Sequence, residues 1–381
     1  MDKVFEDIEV STPDYVAART GNRYMDIYFV ANSRMEYSEV TVKVIAEQLA
    51  EMVHAPSDER TATTTTESCV LGKQQDFMCF VCPVDRGPLT SGSSSLTCSH
   101  CGTVFPKING VPVLINEANS VFRISDYTNG NAFEGASGYG GSLDRTAGWR
   151  KLYRRFARSL SEADIPGLDK VRAIDHIHAE IPNAKILIVG SGERTYSGDV
   201  TYTDVAFAPG VSCICDAHDL PFENESFDAI FADSVLEHVC DPQRCVSEFV
   251  RVLRPQGYIM AVTPFLQSVH MGAYDFTRFT YLGHRRLFRH FNDIQSGMCG
   301  GPGYSAIHMI RNLATSLTDR PKVRSALRLL ALILTYPMRH TDRFFSRHES
   351  AYNTACAFYF FGQKRSSPIP DREIIKMFRG K

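Results

Sequence analysis

Short apolar runs recur between residues 185 and 264, and their spacing organises the reading of the whole chain. Ile186-Leu187-Ile188-Val189 is apolar at every position, the pattern of a strand buried on both faces. Val200-Thr201-Tyr202-Thr203 and Ser212-Cys213-Ile214-Cys215 read as two further strands, closed by Asp204 and Asp216. Phe227-Asp228-Ala229-Ile230-Phe231-Ala232 and Gly257-Tyr258-Ile259-Met260-Ala261-Val262 follow, separated by helical spacing over 241–253. Residues 292–298 and 356–361 supply two more strands. Strands alternating with helices predict an α/β fold with a parallel, doubly wound sheet. In such sheets ligands bind beyond the carboxyl ends of the strands, where Gly190, Gly192, Asp204, Asp216 and Asp233 all fall.

The chemistry at those ends narrows the ligand. Gly190 and Gly192 flank Ser191 in a turn where the backbone can approach a ligand closely. A carboxylate closing the second strand can accept from both hydroxyls of a ribose, and one closing the third suits an exocyclic amine such as that of adenine. No GxxxxGK[ST] loop is present, which argues against a triphosphate cradle.

Several pieces occur in order over about 80 residues: Ile188-Val189-Gly190-Ser191-Gly192, Asp204, Asp216-Ala217-His218-Asp219-Leu220-Pro221-Phe222, Ser226-Phe227-Asp228-Ala229, Val235-Leu236-Glu237-His238 and Arg251-Val252-Leu253-Arg254-Pro255-Gln256-Gly257. The stretch resembles the class I S-adenosylmethionine-dependent methyltransferases, specifically the methyltransferase type 11 group. The resemblance implies a Rossmann-like, seven-stranded methyltransferase sheet with helices on both faces. It also implies S-adenosyl-L-methionine as cofactor, held by Gly190, Ser191, Gly192, Asp204, Asp216, Ala217, His218 and Asp233. Two positions depart from the family pattern: Ile188 stands where an acid is usual, and Arg194 where a third glycine is usual.

A second signal precedes this stretch. Cys79-Phe80-Val81-Cys82 and Cys98-Ser99-His100-Cys101 form two CxxC pairs separated by 15 residues, and Gly102 permits a tight turn after the second. Two such knuckles bring four sulfurs to one ion at about 2.3 Å, so a structural Zn²⁺ on Cys79, Cys82, Cys98 and Cys101 is expected rather than a redox pair. Cys69 lies outside the spacing. Phe105-Pro106-Lys107-Ile108-Asn109-Gly110-Val111-Pro112-Val113-Leu114 follows, and with the cysteines it resembles the small zinc-ribbon activators of tRNA and release-factor methyltransferases.

After the fifth strand, Thr263-Pro264-Phe265-Leu266-Gln267-Ser268-Val269-His270 and Tyr274-Asp275-Phe276-Thr277-Arg278-Phe279-Thr280 resemble a segment of type 11 enzymes found among glycan and natural-product genes. A hydroxyl acceptor needs a general base. His270 is the first candidate and His238 the second; Asp275 and Arg278 orient substrate or pair with each other, and Glu237 carries the same ambiguity. Enzymes that methylate adenine or glutamine amides usually carry Asn/Asp-Pro-Pro-aromatic after the fourth strand. Here Ala232-Asp233-Ser234-Val235 stands there. The expected activity is therefore O-methylation of a small molecule, sugar or lipid-linked glycan. Two alternatives stay open: a ribosomal RNA methyltransferase with a zinc module, and a non-catalytic cofactor-binding scaffold.

The expected organisation is an N-terminal helical and linker region (1–70, with a helix over 37–54), a zinc ribbon (71–120), a linker with two lead-in helices (121–182), and the methyltransferase domain (183–381). Formal net charge is −2, so nucleic acid is not an expected partner. Residues 309–381 nonetheless hold 14 Lys and Arg against 5 Asp and Glu. Within them, 323–338 is strongly apolar but too short to span a bilayer. It is expected as a core or dimer helix of a homodimer, or as an interfacial helix in peripheral membrane contact beside a lipid-linked substrate. The acidic start of the chain lacks a secretory pattern, and an odd count of 11 cysteines suits a reducing compartment. A cytoplasmic location is expected, with membrane association through 323–338 only on the second of these two readings of that segment.

Overall fold

The computed structural model describes residues 8–12, 15–20, 23–27, 80–129, 170–192, 198–208 and 210–380. The chain divides into two compact units, Met1–Val70 and Leu71–Lys381. In the first, β1 (Ile8–Thr12), β2 (Tyr15–Thr20) and β3 (Arg23–Ile27) pair antiparallel in sequence order. Sequence reasoning anticipated helix and linker here and missed these strands. Their signal is present in the period-2 alternation of Ile8-Glu9-Val10-Ser11. The helix expected over 37–54 and the one over 149–160 lie outside the described residues, as does Cys69.

In the second unit, eleven strands among the described residues form one mixed sheet, in the order β13-β14-β12-β11-β8-β9-β10-β7-β6-β5-β4. Within it β8 (Ile186–Val189) is flanked by parallel β9 (Val200–Asp204) and β11 (Phe227–Asp233). Beyond them lie β10 (Cys213–Cys215) and β12 (Leu253–Pro264), also parallel. The antiparallel strands β14 (Ala357–Lys364) and β13 (Phe291–Met298) close that side.

The sheet is four strands larger than the seven expected, for a physical reason. β10 would leave an edge of unpaired N–H and C=O groups. Instead β7 (Val111–Leu114) lies parallel to it, with Val113 opposite Ile214 and Leu114 opposite Cys215. β7 continues antiparallel into β6 (Val104–Ile108), β5 (Ser95–Cys98) and β4 (Leu89–Ser91). The cysteine-bearing hairpins are thus part of the main sheet. Their side chains Cys82, Leu96, Cys98 and Phe105 share one core with Leu187, Phe222, Phe227 and Phe249.

β8 shows why its sequence is apolar throughout. Leu187 and Val189 point to the core shared with α3 (Pro242–Val252), and Ile186 and Ile188 to the core covered by α2 (Lys170–Glu180). α3 starts where Asp241 accepts from Arg244 N at 3.0 Å and Pro242 sets the first helical φ. Between β13 and β14 the chain inserts α5 (Pro302–Thr315) and α6 (Pro321–Thr335), after the shorter α4 (Tyr281–Leu287) that precedes β13. The fully buried Asp342 anchors the insertion by accepting from the backbone N–H groups of Gly301, Gly303 and Tyr304 at 2.6–3.1 Å. These are unsatisfied donors at the start of α5, where a carboxylate also meets the positive end of the helix.

α4 carries a burden its polar sequence hides. His284 is completely buried among Phe288, Phe358 and Phe360. Burial, with Arg285 adjacent, lowers its pKa from the usual imidazole range to about 3. The unfolded chain therefore binds a proton at His284 that the folded protein refuses between those two values. Stability from this residue is complete above the ordinary imidazole pKa of about 6.5 and falls as pH drops toward 3, by at most about 1.4 kcal/mol per pH unit. Denaturant melts across that window should show this slope, and His284→Phe should flatten it; an unchanged slope in the variant would assign the acid lability elsewhere.

Candidate functional site

The carboxyl ends of β8, β9, β10 and β11 open into a cleft whose empty space, open mouth included, is about 490 Å³. Gly190 lies on its wall with φ of +66°, in the left-handed region that glycine tolerates. A Cβ there would also stand 2.5 Å from Val235 Cγ2, so the turn is closed to larger residues on two grounds. Ser191 is buried, and its Oγ has no hydrogen-bond partner among the described residues.

Asp204 is buried at the end of β9. Each of its oxygens takes one backbone donor at 2.9 Å, Oδ2 from Gly192 N and Oδ1 from Ala206 N. Burial raises its pKa, and these N–H groups oppose the rise. A carboxylate oxygen has two acceptor positions, so one on each remains for a ligand.

Asp216 is more fully engaged. Its Oδ1 takes His218 Nδ1 at 2.5 Å and His218 N at 3.1 Å, and its Oδ2 takes the Ser120 hydroxyl at 2.5 Å. Burial works against ionisation, but the His218 and Ser120 bonds outweigh it and hold the carboxyl below the usual range. His218 Nε2 accepts from Asp241 N at 3.0 Å, which leaves the ring proton on Nδ1 and ties the loop to the start of α3. Ala217 lines the cleft beside it. Asp233, at the end of β11, is ion-paired with Lys170 on α2 and does not line the cleft.

Sequence reasoning missed the segment that covers this cleft. After β7, Asn116 and Asn119 donate to Asp219, and Ser120 meets Asp216. Val121 and Phe122 line the cleft, and Tyr127, on α1 (Ile124–Thr128), donates to Val205 O at 2.7 Å. These bonds join residues 78 to 103 positions apart, which no local periodicity reveals.

His238 lines the cleft, and His270 lies against His238; their Nε2 atoms are 3.1 Å apart. His238 Nδ1 bonds Tyr274 O at 2.7 Å, which as an acceptor leaves the proton on Nδ1. Burial lowers the His238 pKa, with the Tyr274 carbonyl pulling the other way. Glu237 Oε1 is 3.7 Å from His238 Nε2 and 3.9 Å from His270 Nε2. Glu237 is 1% exposed, and burial raises its pKa to about 8. Asp275 and Arg278, expected either to orient substrate or to pair, are paired with each other, and Asp275 also accepts from His270 N at 2.9 Å.

The expected metal centre is partly in view. Cys82, Cys98 and Cys101 converge with Asp85, all ligand atoms within 4.8 Å of one another; Cys79 lies outside the described residues. Cys82 Sγ and Cys101 Sγ are 3.7 Å apart, close to the edge of a tetrahedron with bonds of about 2.3 Å. Gly102 has φ of +72°, as a tight turn after the second knuckle requires.

Residues 169–261 match the family described as "Methyltransferase domain". Over 54 residues the chain is 43% identical to an uncharacterized 37.1 kDa protein in transposon TN4556 of Streptomyces fradiae, covering 14% of this chain and 16% of that protein. Over 45 residues it is 44% identical to the demethylmenaquinone methyltransferase of Clavibacter sepedonicus, covering 12% of this chain and 18% of that protein. The chain therefore spans less than a fifth of the length of either curated relative. Among solved structures, the 1,6-didemethyltoxoflavin-N1-methyltransferase of Burkholderia thailandensis is 13% identical with a TM-score of 0.32, covering 72% of this chain and 100% of that one. The family match runs from the start of α2 into β12, and so includes Gly190, Asp204, Asp216 and Asp233.

Proposed function

We propose that the chain transfers a methyl group from S-adenosylmethionine to an oxygen of a small molecule, a sugar or a lipid-linked glycan. The observation that carries the reading is that the stretch matching a methyltransferase domain builds the cleft, with Asp204 and Asp216 at successive strand ends inside it. The cofactor's chemistry is a sulfonium methyl open to in-line displacement; the protein supplies alignment and a dry site. Asp204 retains acceptor positions for a ribose diol. The buried, unpartnered Ser191 hydroxyl and the close turn at Gly190 suit the cofactor's polar chain. Asp216 would meet an adenine amine by sharing its Oδ2 with Ser120. Phe122 and Val239 exclude water alongside. Where an acceptor would enter, the groups able to deprotonate or polarise its hydroxyl are His270 and His238.

Two further features complete the reading. A structural zinc on Cys82, Cys98, Cys101 and Cys79 would fasten the ribbon strands. The helical insertion would rest on an anionic membrane. Leu313, Leu317, Leu330 and Leu334 are 54–74% exposed, and residues 302–348 hold eight Lys and Arg against two Asp, one of them buried. Exposed leucines of this kind gain from burial in lipid, and the excess of basic residues from attraction to anionic headgroups. A second copy of the same face would repel it. Among the described residues no helix is long and apolar enough to cross a membrane.

Calorimetric titration should show saturable binding of S-adenosylmethionine and S-adenosylhomocysteine. Asp204→Ala should weaken it about 10–100-fold, or about 1.4–2.7 kcal/mol, because the ribose contact and the brace on Gly192 disappear together. A folded wild type that binds neither compound would sink the methyltransferase reading. Elemental analysis of Cys98→Ser should find one zinc fewer per chain than wild type, with a lower Tm; equal zinc in both would remove the ribbon metal. In vesicle flotation the wild type should rise with phosphatidylserine-containing liposomes but not with pure phosphatidylcholine, and Leu313→Asp with Leu334→Asp should stay behind. Indifference to lipid charge would refute the membrane face.

A further inference from the structure

We propose that Glu237, His238 and His270 form a site for one divalent first-row cation, separate from the cysteine centre, beside the cleft that His238 lines. Their ligand atoms lie within 4.8 Å of one another. The separations are 3.1 Å between the two Nε2 atoms, and 3.7 and 3.9 Å from Glu237 Oε1 to each. Nitrogen and oxygen ligands about 2.0–2.2 Å from a shared ion stand about 2.8–3.6 Å apart at right or tetrahedral angles. The three atoms are within a few tenths of an ångström of that spacing.

A second observation is independent of those distances. Both Glu237 oxygens are buried without a hydrogen-bond partner among the described residues, although the side chain is 1% exposed. Buried carboxylates are normally hydrogen-bonded, paired or on a metal. The two imidazole Nε2 atoms stand 3.7 and 3.9 Å from Glu237 Oε1, too far for hydrogen bonds and well placed for a common ion.

The surroundings are those of oriented ligands. A metal-bound histidine usually donates its other ring N–H to a carbonyl or carboxylate. His238 does so to Tyr274 O at 2.7 Å, which aims its Nε2 at His270 and Glu237. His270 Nδ1 lies 3.4 Å from Asp275 Oδ2, and Arg278 fixes that carboxylate. The backbone N–H groups of Phe276 and Thr277 both bond Glu237 O, at 2.7 and 3.2 Å, so the two loops that supply the ligands are stitched together. Two imidazoles and one carboxylate favour an ion such as Mn²⁺, Fe²⁺, Co²⁺ or Zn²⁺, with positions left open.

Those open positions would take oxygen from the acceptor. The site therefore favours a substrate with two adjacent oxygens able to chelate, such as a vicinal diol, a catechol or an α-hydroxy acid. This choice of substrate rests on the oxygen-acceptor reading above; the ion site does not. With their Nε2 atoms on the ion, His238 and His270 would act as ligands that polarise the acceptor rather than as bases; the ion would acidify the bound hydroxyl, whose proton leaves to solvent before the methyl group is transferred.

The test titrates Mn²⁺ into the purified full chain after dialysis against a mild chelator, following free Mn²⁺ by electron paramagnetic resonance. Mn²⁺ is chosen because hard ions avoid the thiolates of the ribbon. One Mn²⁺ per chain is expected, with affinity reduced at least tenfold in Glu237→Gln and in His270→Ala. His270 is partly exposed on its loop, so its truncation should leave the fold intact. Circular dichroism and S-adenosylmethionine calorimetry on each variant separate loss of the site from loss of the fold. Failure to take up Mn²⁺ by a wild type that binds S-adenosylmethionine overturns the proposal, as does uptake undiminished in both folded variants. Uptake that depends on both residues, in a chain that never binds S-adenosylmethionine, upholds the ion site and defeats the methyltransferase reading instead.

Discussion

The parallel pairing of β7 with β10 is the contact on which the described structure turns. It is only two residue pairs long, Val113 with Ile214 and Leu114 with Cys215. Yet it covers the open edge of the sheet and puts Cys82, Cys98 and Phe105 into the same apolar core as β8 and α3. A four-stranded cysteine ribbon has little core of its own. Merged in this way, it draws stability from the large domain, and the domain gains a finished edge.

From that pairing follows the architecture of the cleft. β7 delivers the chain at the level of the strand ends, and the next residues fold across them. Asn116 and Asn119 reach Asp219, and Ser120 reaches Asp216. On the far side Arg244 closes onto Asp219 and the His218 carbonyl, and His218 onto Asp241 N. Side-chain bonds of this kind hold loops that have no ladder of their own. The third-strand loop is consequently a rigid wall.

Much of this was legible before any coordinates. Four consecutive apolar residues at 186–189 announce a central strand because both faces of a parallel sheet are covered. Acids at 204 and 216 follow runs rich in β-branched and apolar residues, and they close β9 and follow β10. The cysteine spacing announced converging sulfurs, and Cys82, Cys98 and Cys101 converge. What escaped was long-range or contrary to local pattern. The ribbon gave no sign that it would join the sheet, since pairing depends on which edge is free. Ser120 and Tyr127 sit in an unremarkable polar run, and their partners are 78 to 96 positions away. No local pattern marks His284 and Arg285 as buried, yet both are, with the Arg285 guanidinium 4.3 Å above the Phe360 ring and 3.8 Å from Asp293. The Asp233 position was right along the chain, but its carboxylate turns to Lys170.

The Ser120 hydroxyl on Asp216 makes the ribbon and the cleft parts of one equilibrium. Any ligand that seeks the same carboxylate oxygen must share it with a residue six positions beyond β7. Whatever tightens or loosens the ribbon therefore changes the free energy of filling the cleft. By reciprocity, filling the cleft changes the hold on the ribbon by the same amount. The stretch that covers the sheet edge and the stretch that walls the cleft are thus one continuous run of chain.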